Sequence, residues 1–268
     1  MGDPDDHVTS PVAPSVLGRW DPGRPPHGLA RFATNGETTI HYLDTGPADE
    51  GAAPVVFVPG ITCVAEDYTD VLAAFGRRVL VIDLRGRGRS STPESGYTRD
   101  DHVRDIEAVL DHAGIGRFHL ATFSRGTTYG LPHALAHPSQ VVSIVVGDYI
   151  CGEVGITDEG WALEFLRGRW RGTPVASRIR EAALVGIVRE SVERRYEDEV
   201  ARLGIPTVVV RSGAPGPDGQ PFVNDVEQER WRRAGADIVT FEASGHDIFR
   251  PDPLAFPLLV RAHTTSHP

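Results

Sequence analysis

With 268 residues, 40% of them hydrophobic and 24% charged, the chain has an ordinary globular composition and room for one large α/β domain carrying an insertion. A formal net charge of −10 leaves no basic excess to neutralise phosphates, which argues against nucleic acid or an anionic membrane surface as the main partner and leaves a small molecule, neutral or locally recognised, as the expected one. Cys63 and Cys151 fit neither metal-ligand spacing nor a disulfide framework; with no apolar leader core and no apolar run of roughly 18 residues, a cytoplasmic, non-membrane protein is expected.

Residues 1–28 are rich in Pro, Asp and Gly without hydrophobic periodicity, the pattern of a flexible arm or of a strap laid over the surface. Residues 31–34 and 38–43 flank Asn35-Gly36, a two-residue hairpin signal, so two antiparallel strands open the sheet. The apolar run 54–58 has the character of a strand buried on both faces and ends in Pro59-Gly60-Ile61-Thr62. A helix over 65–75 and a second buried strand over 78–83 follow. That strand runs into Leu84-Arg85-Gly86-Arg87-Gly88-Arg89-Ser90, whose spacing matches neither of the usual phosphate-binding glycine patterns. Thr98 caps a helix with Asp100 and Asp101 in its first turn and Val103, Ile106, Val109 and Leu110 as an apolar stripe; His102 is expected at its surface or boundary.

The apolar run 118–123 then ends in Ser124, and a small-residue helical segment starts at once. A serine at such a sharp strand-to-helix turn has its hydroxyl lifted clear of the sheet, beside the unpaired N–H groups of a helix start. The usual pattern is G-x-S-x-G. Here it is Thr122-Phe123-Ser124-Arg125-Gly126, with threonine in the first glycine position.

Another buried strand, 141–146, closes on Gly147-Asp148-Tyr149. From Cys151 to Gly204 no strand is expected; 157–170 and 173–196 are expected to be helical, with Trp161 and Trp170 among the apolar bulk. Strand 205–211, helix 223–233, strand 237–242 and terminal helix 252–263 complete the chain, with Gly245-His246 just after the last strand. Strands alternating with helices imply right-handed crossovers, a parallel sheet and a site at the carboxyl ends of the strands.

Taken in this order, Val58-Pro59-Gly60, the 83–90 loop, the Ser124 turn, the insertion after the sixth strand and Gly245-His246 resemble the α/β-hydrolase superfamily across nearly all of residues 29–262. The resemblance implies a mostly parallel eight-stranded sheet flanked by helices, with residues 29–150 and 205–268 as the core and a helical cap over 151–204. It further implies an oxyanion hole of the Ile61 and Arg125 backbone N–H groups and hydrolysis of an ester, lactone, thioester or amide.

A serine hydroxyl needs an imidazole to take its proton, and the imidazole needs a carboxylate to fix its tautomer. His246 is the histidine placed for the first task. The acid usually follows the seventh strand, but residues 211–217 hold no carboxylate and Asp218 arrives late. Asp148, one helix and one strand beyond Ser124, is the preferred acid and Asp218 the alternative. Thr62, Cys63, Tyr149, Trp161 and Trp170 are expected in the substrate pocket, with Cys63 a structural thiol. The Arg125 side chain either orients a polar substrate group or pairs with an acid of the cap. No cofactor and no metal are implied, and oligomeric state leaves no trace in the sequence. Thr122 and the empty acid position keep open a non-hydrolytic enzyme of the same fold, such as an epimerase, cyclase or carbon–carbon lyase, and less readily a ligand-binding module.

Overall fold

The computed structural model describes residues 20–24, 26–47, 51–215 and 221–268. Asp218 and most of the expected N-terminal arm lie outside the described residues.

Eight strands form one sheet: β1 (Ala30–Asn35), β2 (Thr38–Asp44), β3 (Val55–Val58), β4 (Val79–Ile82), β5 (Phe118–Phe123), β6 (Val141–Gly147), β7 (Thr207–Ser212) and β8 (Asp237–Phe241). Their spatial order is β1-β2-β4-β3-β5-β6-β7-β8. The β1–β2 and β2–β4 pairs are antiparallel, and the remaining pairs are parallel. Gly36, at φ 59°, makes the tight turn that joins the first two strands.

The central strands are buried on both faces, which is why they read as continuous apolar runs. Alternate residues face opposite ways: Val56, Val58 and Leu120 enter the core beneath one set of helices, Val55, Phe57 and Ala121 the core on the other side. Each large side chain so buried contributes roughly 1.5–3 kcal/mol. The first core is closed by α1 (Arg99–Ala113), α2 (Thr127–Ala136), α5 (Glu197–Leu203) and α6 (Asp225–Arg233), the second by α7 (Ala255–Ser266) and the 3-10 turns of Ala65–Phe75. Thr98 caps α1, its hydroxyl accepting from the Asp101 N–H at 3.2 Å.

The expectation of two long helices between Cys151 and Gly204 is corrected. That segment forms α3 (Glu159–Arg167) and α4 (Glu181–Glu190), followed by α5, together with short strands. Arg169–Trp170 pairs with Thr173–Pro174 across a turn in which Arg171 (φ 46°) and Gly172 (φ 79°) are both left-handed, as a tight two-residue hairpin requires. Arg194–Arg195 pairs with Gly152–Glu153. Gly152 permits that approach, because a Cβ there would lie 2.2 Å from the Arg194 carbonyl oxygen. Gly168, Gly172 and Pro174 break the helical pattern that the tryptophans and leucines suggest. The terminal helix also begins later than expected, at Ala255.

Candidate active site

Strand register brings the site together before any side chain is considered. Phe123 pairs with Gly147 on the adjacent strand, and Gly147 pairs with Val210 on the next. Ser124 and Asp148 therefore leave neighbouring strands side by side. Both backbones are left-handed there, at φ 51° and 45°, a strained state for residues with a Cβ. The surroundings impose it at Ser124: α2 starts immediately behind, and a Cβ on Gly126 would fall 2.1 Å from the Val58 carbonyl oxygen.

Thr122 does not disrupt this turn. Its Cγ2 occupies the space over Gly130, where an added Cβ would sit 2.7 Å away, and its hydroxyl bonds that of Thr127 at 2.8 Å. The missing glycine of the usual pattern is thus matched by a glycine one helical turn and more downstream.

His246, in the loop after β8, completes a hydrogen-bonded row. Its Nε2 lies 2.9 Å from the Ser124 hydroxyl oxygen and its Nδ1 2.8 Å from Asp148 Oδ2. The other Asp148 oxygen accepts the Ser212 N–H at 2.9 Å, and the carboxylate is fully buried. With the carboxylate on Nδ1, the pattern assigns the proton to Nδ1 and the free lone pair to Nε2. Phe222 packs on the imidazole with ring centroids 4.7 Å apart.

Ser124 and His246 open into a cavity of about 470 Å³, within the range of small-molecule sites. Ile61, Thr62, Cys63, Arg125, Tyr149, Trp161 and Trp170 all line it, as does Phe165 of the apolar bulk expected in the insertion; Ile156 and Phe222, which sequence reasoning did not single out, line it too. Burial pushes the Cys63 thiol up, which keeps it protonated. The Arg125 guanidinium is held by the inserted segment, donating to the Val154 carbonyl at 3.1 Å and lying 3.4 Å from Glu153, and it also donates to the Tyr129 hydroxyl of α2 at 3.2 Å. Burial in turn raises the Glu153 carboxyl.

The arginines of the 83–90 loop are structural. Arg85 makes a bidentate pair with Asp105 at 2.6 and 2.7 Å, and Arg89 pairs with Glu66 at 2.6 Å. Arg87 is buried and donates to the Ile61 and Arg85 carbonyls and to His102. His102 is therefore no boundary residue: it is fully buried, stacked 3.8 Å from Tyr129, with Nδ1 on the Thr98 carbonyl. Its place one turn before Ile106 on the inner stripe was the available signal.

Sequence reasoning missed a second polar cluster, behind the pocket wall. Arg178 holds the buried Asp67 at 2.7 and 3.0 Å, and Asp67 in turn accepts the Val64 N–H. Arg171 holds Asp247, next to His246, at 2.7 and 3.0 Å, its guanidinium within 5.1 Å of the Tyr68 and Phe249 rings. The inserted segment is thereby tied to the loops on both sides of Ser124.

This sheet order, the strained serine after β5 and the histidine after β8 define the α/β-hydrolase class. The profile of the alpha/beta hydrolase fold family matches residues 53–149. A non-heme chloroperoxidase of Streptomyces lividans is 32% identical in an alignment that, gaps included, is 280 positions long and covers 85% of this chain and 99% of that protein. The putative carbamate hydrolase RutD of Variovorax paradoxus (strain S110) is 36% identical over 111 residues, 40% of this chain and 41% of that protein. In fold, the chain is similar to MGS-M2, an alpha/beta hydrolase enzyme from a Medee basin deep-sea metagenome library, at TM-score 0.74 and 18% identity over 88% of this chain and 97% of the other. The chain belongs to the α/β-hydrolase family and is an enzyme of that fold. Among the described residues, no helix is long and apolar enough to cross a membrane.

Proposed function

We propose that the protein hydrolyses a small or medium-sized ester, lactone, thioester or amide through an acyl-serine intermediate. Ser124 attacks the substrate carbonyl while His246 Nε2 takes the hydroxyl proton; Asp148 holds Nδ1–H and stabilises the imidazolium. The carbonyl oxygen becomes an oxyanion that accepts hydrogen bonds from the backbone N–H groups of Ile61 and Arg125, worth roughly 3 kcal/mol of barrier per donor. The imidazolium then protonates the leaving oxygen, sulfur or nitrogen as the tetrahedral intermediate collapses. Water, deprotonated by His246, repeats the sequence on the acyl-enzyme and regenerates Ser124.

The observation that carries this reading is the unbroken row from Ser124 through His246 to Asp148 at 2.9 and 2.8 Å, with Ser124 and His246 lining the cavity. Trp161, Phe165, Trp170 and Ile156 offer an apolar wall for the acyl or alcohol part, with residues 151–204 as the cap. Because Arg125 is engaged by Glu153 and Val154, the substrate does not need a carboxylate to satisfy it.

Two observations support the hydrolytic reading over a non-hydrolytic one: Thr122 packs over Gly130 without a clash, and Asp148 lies 2.8 Å from His246 Nδ1. Stopped-flow hydrolysis of p-nitrophenyl acetate tests the proposal. A burst of one p-nitrophenolate per enzyme, absent in Ser124→Ala, is expected; turnover that survives in Ser124→Ala would refute it.

A further inference from the structure

Away from the pocket, α1 and α2 bring together three side chains with ligand chemistry. Glu107 projects from α1. His133 lies in the last turn of α2 and His137 caps that helix, its backbone N–H donating to the His133 carbonyl. His137 Nε2 lies 2.8 Å from Glu107 Oε1, and the two imidazole centroids are 4.9 Å apart. One ligand atom from each of the three lies within 4.8 Å of the other two. His133 is 1% exposed, and its Nδ1 is buried without a hydrogen-bond partner, while its Nε2 reaches Gln140 Oε1 only at 3.3 Å. A buried imidazole nitrogen left unpaired costs about 1–3 kcal/mol, so the pair of helices carries a donor atom that it does not use.

We propose that Glu107, His133 and His137 form a binding site for a divalent transition-metal ion of the zinc class. Two imidazoles and one carboxylate are the donor set that borderline ions favour, whereas calcium and magnesium take oxygen ligands. Bonds of about 2.0–2.1 Å in tetrahedral geometry separate ligand atoms by roughly 3.3 Å. The 2.8 Å Glu107–His137 contact is shorter than that spacing, so these two ligand atoms must part slightly while both approach the buried His133. The side chains of His137 and Glu107 are 38% and 37% exposed, which leaves them free to turn toward it and leaves water for the fourth position. None of the three residues lines the catalytic cavity, so the site does not depend on the chemistry of Ser124. Its consequence is mechanical: α2 begins directly behind the serine turn, and an ion bridging it to α1 would staple that helix in place.

The test uses the untagged, EDTA-treated full chain, titrated with zinc chloride at pH 7.5 by calorimetry and followed by thermal melting, with cobalt(II) as a spectroscopic probe. The expected result is one equivalent bound, a melting temperature raised by about 5 °C at saturating zinc, and the intense visible absorption of tetrahedral cobalt. Glu107→Gln and His137→Ala are each expected to weaken zinc binding at least tenfold without lowering the zinc-free melting temperature by more than a few degrees. Glu107→Gln keeps the volume of the site and so separates loss of a ligand from loss of packing. No saturable binding, or binding that both variants leave intact, would overturn the proposal.

Discussion

On the sheet side of the pocket, Ser124 and Asp148 are placed by backbone register and by close contacts of glycines with main-chain oxygens. On the inserted side, the chain between Arg169 and Arg178 is held by buried ion pairs reaching Asp67 and Asp247. The difference is one of range. Register and steric fit act between neighbouring strands and leave little tolerance, whereas each ion pair joins residues 76 to 111 positions apart and depends on both partners being present. A protein built this way can vary its pocket wall while keeping the hydrogen-bonded row of Ser124, His246 and Asp148, provided the charges stay matched.

That contrast is broken most severely at the Ser124–His246–Asp148 row. Ser124→Ala is expected to lower kcat on a chromogenic ester by about 10³-fold or more while leaving the melting temperature unchanged, because only an oxygen is lost. Steady-state kinetics beside a thermal melt reads both. On the inserted side the order reverses. Arg178→Met removes both close guanidinium bonds to the fully buried Asp67 carboxylate, leaving it the Val64 N–H and Arg171 at 3.6 Å, and is expected to cost about 3 kcal/mol in urea unfolding.

The sheet side can be probed by steric fit alone. Gly130→Ala drives a methyl to 2.7 Å from Thr122 Cγ2 and is expected to cost about 1–3 kcal/mol. Adding Thr122→Ser removes that methyl and keeps the bond to Thr127, so the double variant should recover at least half of the loss. Additive losses in urea unfolding would show that Thr122 and Gly130 are not the matched pair described here.

The smallest effect is a pH dependence of stability. Burial, with a neighbouring cation or imidazole, lowers the pKa of His119 and His133 to about 4. Between pH 6.5 and 4 the unfolded chain takes up protons that the native state refuses, so stability is full above pH 6.5 and falls as the pH drops toward 4. After solvent screening, the pair should contribute on the order of 1–3 kcal/mol. Urea midpoints at pH 7.5 and pH 5 check the sign. Bound zinc at His133 would steepen the fall.

Much of this molecule was legible beforehand, for a physical reason. Strands such as Val55–Val58 and Phe118–Phe123 must be apolar throughout because both faces are covered, and a serine between such a strand and small residues stands out. The order of serine, acid and histidine along the chain then limited which loops could meet. The inserted segment was less legible. Two-residue strands carry no periodic signal, and a hairpin at Arg171-Gly172 looks like any polar turn. Arg171 and Arg178 were invisible as buried residues because charged side chains are ordinarily outside, and only their distant partners bring them in. Phe222 escaped because its neighbour, His246, lies beyond another helix and strand.

Whether Ser124 is the nucleophile is open to one direct measurement: intact and peptide mass spectrometry after incubation with a fluorophosphonate. One adduct per chain, located on Ser124 and absent from Ser124→Ala, is the expected result. An unlabelled Ser124 in folded protein, or an adduct on another residue, would contradict it.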